Sequence, residues 1–219
     1  MQTIIWVRVP KNAGSSLYSM LDDSDLLVAD LAQVLHDVVH GFRPKLMPSK
    51  KVLELKGSSV NGPIHQNILR SSLFNNAWKF AITRNPWDRA VSSWKFGTLF
   101  CNEVVPHRIK KVDFKTWCRD LGSRKNEYIY HHSRPQSDFL VVDGVCLINY
   151  FVRFEYLYKD LQVIWKKLGI KPLKMQKLNS TIHKPFYQYY DEESIKLVRD
   201  FYIEDFENFK YNKNFPADI

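Results

Sequence analysis

Residues Thr3 to Val9 read TIIWVRV, a run rich in β-branched side chains that Pro10 brings to a stop. Apolar side chains occupy both parities of this run. A strand that is apolar on both faces belongs inside a sheet covered by helices on either side. The chain continues as PKNAGSS and then sets Leu17, Met20 and Leu21 at helical spacing, with Ser15 and Ser16 as N-cap residues. Strand, tight loop and helix in direct succession aim loop amides and a helix N-terminus at one point, which makes Pro10 to Ser16 a candidate anion site.

The same alternation recurs along the chain. Trp78 to Thr83 (WKFAIT) predicts a second strand, and Arg84-Asn85 ends it before Pro86, a residue tolerated in a helix first turn. Cys146 to Phe154 (CLINYFVRF) predicts a third strand, and Tyr156 to Leu168 an amphipathic helix closed by Gly169. A last helix is expected from about Asp191 to Phe206. Strands alternating with helices imply an α/β fold with a central, mainly parallel sheet flanked by helices and a ligand site at the carboxyl ends of its strands. The loop-like stretches 42–51, 57–63 and 171–184 are short enough to lie within one domain, so residues 1–219 are expected to form a single domain.

Composition narrows the function. With 45% hydrophobic and 14% aromatic residues, the chain is neither disordered nor fibrous. A net charge of +9 points to an anionic partner: nucleic acid, a membrane surface, a nucleotide or an acidic polymer. Cys101, Cys118 and Cys146 are odd in number and form no CxxC pair, which suggests reduced thiols rather than a disulfide framework or zinc knuckle. No apolar run approaches the ~20 residues that span a bilayer. With Met1 as the natural start, the expected location is cytoplasmic.

Two motifs carry chemistry. In the first, Lys11 brings a full positive charge to the loop, Gly14 lets the backbone approach a phosphate, and Ser15 and Ser16 add hydroxyl donors. A Walker A loop places its lysine after the second glycine, whereas here Lys11 precedes the only glycine, which weakens an ATPase or GTPase reading. A capped helix with an incidental lysine is the plainer alternative. In the second motif, RNPWDRAVSSW, Arg84 stands at a strand end and Ser92 about two helical turns later, so one phosphate can take both. The alternative is a local ion-pair network of Arg84, Asp88 and Arg89 at the helix start.

PKNAGSSL after a first strand, followed by FAITRNPWDRAVSSW, resembles the two signatures with which the sulfotransferase superfamily binds 3′-phosphoadenosine 5′-phosphosulfate (PAPS). The nearer likeness is to the carbohydrate-type branch. It extends to His131-His132-Ser133-Arg134-Pro135-Gln136-Ser137-Asp138-Phe139-Leu140, to Arg153-Phe154-Glu155 and to the tail from Asn179, and is weakest over residues 22–60. The resemblance implies a P-loop-like fold and an enzyme that transfers a sulfuryl group from PAPS to a hydroxyl acceptor, a saccharide in that branch, leaving adenosine 3′,5′-bisphosphate. It implies that Lys11, Asn12, Ala13, Gly14, Ser15 and Ser16 hold the 5′-phosphosulfate, and that Arg84 and Ser92 hold the 3′-phosphate. Asn12 and Ala13 depart from the usual Thr-Gly, so the loop must adopt a conformation that alanine accepts.

Sulfuryl transfer is an in-line displacement in which the acceptor hydroxyl loses a proton while the leaving phosphate gains charge. Lys11 meets the second need. The sulfuryl group carries less charge than a phosphoryl group, and no metal is expected. For the first need, His65 in Gly62-Pro63-Ile64-His65 is the expected base, because relatives carry a Gly-x-His or Gly-His motif there; His131, His132, His183 and Glu54 are the alternatives. Two other readings compete: a nucleotide kinase or other phosphotransferase, which lacks the Walker lysine, and a basic nucleic-acid-binding domain, which lacks a recognisable motif. No nucleic-acid partner is expected.

Overall fold

A computed structural model describes residues 4–14, 16–17, 27–30, 51–56, 72–104, 112–123, 127–173 and 184–216. The chain divides into two compact units, the first of residues 1–83 and 138–180 and the second of residues 84–137 and 181–219.

The first unit is built on a five-stranded, wholly parallel sheet. Its strands are β1 (Ile4–Arg8), β2 (Leu27–Asp30), β3 (Lys51–Lys56), β4 (Trp78–Thr83) and a last strand, Tyr150–Arg153, in the order β2-β3-β1-β4-last. β1 lies in the middle, as its two apolar faces require: Ile4, Ile5, Trp6 and Val7 are all buried. The chain moves from β1 to one side of the sheet and then crosses to β4 on the other. That reversal makes the carboxyl ends of β1 and β4 the place where an open α/β sheet binds ligands.

The CLINYFVRF run does not form one strand. Val145–Cys146 (β6) instead pairs antiparallel with Val141–Val142 (β5) across Asp143-Gly144, both with left-handed backbone, and only Tyr150–Arg153 (β7) joins the sheet. The divide falls at Asn149, whose side-chain oxygen accepts from the Lys79 amide at 2.8 Å while its own amide donates to the Lys79 carbonyl at 2.9 Å. A side chain thus occupies a hydrogen-bonding position that a longer strand would have filled with backbone.

Lys79 itself is buried at the start of β4. Its ammonium donates to the carbonyls of Phe74 and Ala77 at 2.9 and 2.8 Å, closing the end of helix α1 (Ser72–Asn76), and burial lowers its pKa.

After β7 and a short 3₁₀ turn, a helix spans Leu157–Leu168 and ends on Gly169 at φ 65°, the left-handed cap expected of that glycine. It lays Leu157, Leu161, Ile164, Trp165 and Leu168 against Ile4, Trp6, Phe80, Ile82 and Val152 of the sheet.

The second unit is helical. Its helices are α2 (Pro86–Val104), α3 (Phe114–Arg119), α4 (Glu127–Ser133) and, numbering the short Ser137–Leu140 helix α5 and the sheet-covering helix α6, also α7 (Glu192–Phe201) and α8 (Ile203–Asn208). Trp87, Ala90, Val91, Phe114, Trp117, Val198, Tyr202 and Phe206 form its core. Cys118 lies among them, and burial pushes its thiol far up, so it stays protonated and inert.

The expected last helix is divided at Tyr202, where φ −104° and ψ 23° leave the helical region. Tyr202 is fully buried and its hydroxyl donates to the Ser133 carbonyl, so a tertiary bond sets the backbone at that point. The α7 N-terminus is a capping box in which the Asp191 side chain accepts from the Ser194 amide and the Ser194 hydroxyl from the Asp191 amide.

A surface clasp joins α3 to α7. Lys115 reaches Asp191 at 2.8 Å and Glu193 at 3.0 Å, and Arg119 makes a two-pronged pair with Glu193 at 2.7 and 2.8 Å. Hydrogen bonds from Arg119 and then Lys115 lower the Glu193 carboxyl from 4.5 to about 2, and Lys115 with the Ser194 amide holds Asp191 well down. Both folded values lie below the unfolded ones, so the contribution is present above about pH 4.5 and is lost as pH falls toward about 2. Thermal melts across that interval should therefore show a steeper acid loss for the native chain than for Glu193→Gln. The difference should shrink in molar salt, because these groups are exposed.

Candidate active site

In the first unit, residues 10–13 lead from β1 into a helical turn that begins at Gly14. The first i to i−4 bond runs from the Leu17 amide to the Ala13 carbonyl at 3.0 Å. The helix thus starts earlier than the expected Ser15/Ser16 cap: Ala13 stands at the cap position and Ser16 is buried inside the first turn. Ser15 lies outside the described residues.

Lys11 and Ala13 are both left-handed, at φ 68° and 57°. Between them Asn12 is buried, and its Nδ2 donates to the Ile82 carbonyl of neighbouring β4 at 2.6 Å. That bond ties the loop to the adjacent strand. Left-handed residues alternating with ordinary ones turn backbone N–H groups toward a common concavity, the arrangement of anion-binding nests.

The loop does not take, at position 13, the readily accepted backbone that an alanine there leads one to expect. The left-handed conformation falls on Ala13, whereas Gly14 makes room for Arg8: a Cβ added to Gly14 would lie 2.7 Å from Arg8 Nε. A left-handed L-residue carries about 1–2 kcal/mol of strain. Ala13→Gly should therefore stabilise the chain by up to about 1 kcal/mol, since the relief of strain outweighs the extra freedom gained by the unfolded chain. A melting temperature raised by a few degrees is the expected result. An unchanged or lower one would show that alanine is unstrained there.

In the second unit, Arg84 begins the RNPWDR segment. Its Nε donates to Asp88 Oδ2 at 2.8 Å, an i, i+4 pair. This bond takes one of the five N–H donors of the guanidinium. Asn85 caps α2, its Oδ1 accepting from the Trp87 amide at 3.1 Å and its carbonyl from the Arg89 amide at 2.9 Å, and Pro86 takes the first helical position as expected.

Arg89 takes a separate course from the Arg84–Asp88 pair. It is fully buried, donates to the His132 carbonyl at 3.4 Å and lies 5.9 Å from the Tyr202 ring centre. Ser92 sits half-buried on α2, and the next residue, Ser93, donates to the same His132 carbonyl at 2.9 Å.

The main chain of Arg84 is held as firmly as its side chain. Gln136 is fully buried; its Oε1 accepts from the Arg84 amide and its Nε2 donates to the Arg84 carbonyl, both at 2.9 Å. Gln136 is in turn bound to buried Asp205, which accepts from the Gln136 amide at 2.8 Å and from Nε2 at 3.3 Å. The other Asp205 oxygen takes the amide and hydroxyl of Ser137 at 2.7 and 2.8 Å. Burial pushes the Asp205 carboxyl up, while the Arg89 charge and these donors pull it back. Sequence reasoning assigned no role to Gln136 or Asp205, although Gln136 lies within the HHSRPQSDFL element.

Of the candidate bases, His65 and His183 lie outside the described residues, and Glu54 belongs to β3. His131 and His132 end α4, half-buried, with the His132 ring 4.7 Å from Phe96 and the two imidazoles 5.2 Å apart and nearly perpendicular. Among the described residues no helix is long and apolar enough to cross a membrane.

A parallel sheet flanked by helices, with a strand–loop–helix turn at the carboxyl end of its central strand, places the chain among the open α/β proteins. Within that class, residues 1–212 match the model of the sulfotransferase family, and the chain belongs to that family of enzymes. A sulfotransferase from Alicyclobacillus acidocaldarius has the same fold: it superposes with a TM-score of 0.56 at 14% identity, over 96% of this chain and 94% of that one. The mouse sulfotransferase SULT7A1, solved in complex with PAP, superposes with a TM-score of 0.45 at 16% identity over 94% of this chain and 66% of that one, too distant to carry weight. No curated protein sequence matches the chain.

Proposed function

We propose that the chain transfers the sulfuryl group of PAPS to a saccharide hydroxyl. The acceptor oxygen forms a bond to sulfur, the bond from sulfur to the 5′-phosphate oxygen breaks, the acceptor proton passes to His65, and adenosine 3′,5′-bisphosphate leaves. Lys11, Asn12, Ala13, Gly14, Ser15 and Ser16 hold the 5′-phosphosulfate, and Arg84 and Ser92 the 3′-phosphate. The reaction calls for no metal, and the chain works as one sulfotransferase domain.

Family membership over residues 1–212 supports the reaction class. The observation that carries the donor assignment is the loop after β1, where left-handed Lys11 and Ala13 flank an Asn12 anchored to β4, a backbone suited to an anion. The carbohydrate-type likeness of the PKNAGSSL and RNPWDRAVSSW segments supports a saccharide acceptor.

Binding to the native state raises stability in proportion to RT ln(1 + [L]/Kd). Adenosine 3′,5′-bisphosphate should therefore raise the melting temperature in metal-free buffer, and Arg84→Ala should remove most of the rise. Equal stabilisation by nucleotides lacking the 3′-phosphate would defeat the assignment of Arg84 and Ser92. With labelled PAPS and a saccharide panel, His65→Ala should slow transfer about a hundredfold while leaving bisphosphate binding intact, as for a lost general base. Full activity in that variant would move the role to His131, His132 or His183.

A further inference from the structure

Burying a glutamine and an aspartate is costly unless every polar atom finds a partner, and an apolar pair would fill the same volume without that demand. In this chain the pair sits behind one residue. Gln136 brackets the backbone of Arg84 with two hydrogen bonds, the pattern a neighbouring strand would supply, and Asp88 fixes the side chain through Nε. Gln136 is itself held by Asp205, which is fully buried and bound through its other oxygen to Ser137. The Ser137 hydroxyl in turn accepts from Asn208 Nδ2 at 3.1 Å. The result is a continuous chain of bonds from α8 to the residue that follows β4, exposed at Asn208 and buried from Asp205 and Ser137 onward.

We infer that Gln136, held by Asp205, is the positioning residue for Arg84 and sets the preference of the enzyme for a nucleotide bearing a 3′-phosphate. This rests on the reading of Arg84 as the 3′-phosphate ligand. An arginine on an unsupported turn gives up backbone and side-chain freedom when it grips a phosphate. Arg84 is fixed in both before any ligand arrives, so its charge is preorganised, and a contact this directional suffers when its supports shift.

The test compares affinities for adenosine 3′,5′-bisphosphate and adenosine 5′-phosphate, which differ only in the 3′-phosphate. Titration calorimetry on the full chain would measure both in the native protein, Arg84→Ala, Gln136→Met and Gln136→Asn. The methionine variant keeps the bulk and removes both bonds to Arg84; the asparagine variant keeps the amide but withdraws it by a methylene. The native chain should prefer the bisphosphate and Arg84→Ala should lose that preference. Gln136→Met should weaken the bisphosphate about tenfold or more while changing the monophosphate less than about threefold.

A merely structural role would weaken both nucleotides alike or neither, and either result in a folded Gln136→Met protein overturns the inference while the Arg84 reading stands. If the native chain shows no preference, that reading fails and this inference falls with it. Should Gln136→Met melt below the assay temperature, Gln136→Asn decides on the same ratio: preference lost with monophosphate affinity kept supports the inference, and preference kept overturns it.

Discussion

Replacing Lys11 with alanine is expected to lower kcat about a thousandfold while changing KM for PAPS only a few-fold. In the proposed reaction the Lys11 ammonium has most to stabilise when negative charge builds on the departing phosphate, and an interaction that strengthens in the transition state appears in kcat. The substitution is unusually clean here. Lys11 is left-handed at φ 68°, and alanine carries the same Cβ, so the backbone strain of the loop is unchanged by the substitution. Lys11→Arg keeps a charge at the position and should recover part of the rate. An effect confined to KM would show that Lys11 serves binding alone.

Removing the Asp205 carboxylate is expected to be as damaging to stability. Asp205→Ala removes the acceptor of three buried donors, the Gln136 amide and the Ser137 amide and hydroxyl, and one of the two acceptors of Gln136 Nε2. It also takes a carboxylate away from Arg89, which is fully buried. Breaking a buried, charge-bearing network in this way costs about 3–5 kcal/mol, which for a chain of this size lowers Tm by about 10 °C or more. Asp205→Asn retains one acceptor and should fall between the two. A loss below about 1 kcal/mol in the alanine variant would mean that water satisfies the stranded groups.

Local features of the fold were legible in the sequence. A strand apolar on both faces proved central, WKFAIT proved to be β4, Pro86 opened α2, and Gly169 closed α6, because each rests on neighbours in the chain. Sequence erred where a distant partner decided the backbone. Lys79 ends the CLINYFVRF strand from 70 residues away through Asn149, and Tyr202 divides the last helix through Ser133, 69 residues away. In the loop, a backbone that alanine accepts was expected at position 13, yet Ala13 is left-handed, and the space left by Gly14 accommodates Arg8, a neighbour no local pattern announces. The Gln136–Asp205 support was invisible for the same reason: its two members are 69 positions apart, and no local pattern joins them.

The division of the chain also bears on how it is made. Each unit is assembled from two separated stretches, residues 1–83 with 138–180 and residues 84–137 with 181–219. On the ribosome, β4 therefore waits for β7 until the intervening helices have been synthesised, some seconds at about 5–20 residues per second. During that time the β4 edge lacks its β7 partner, and Phe80 and Ile82 on the sheet face lack the cover of α6. Neither unit can be completed before its second stretch has been synthesised, so the contacts that finish both cores are formed late and over long sequence separations.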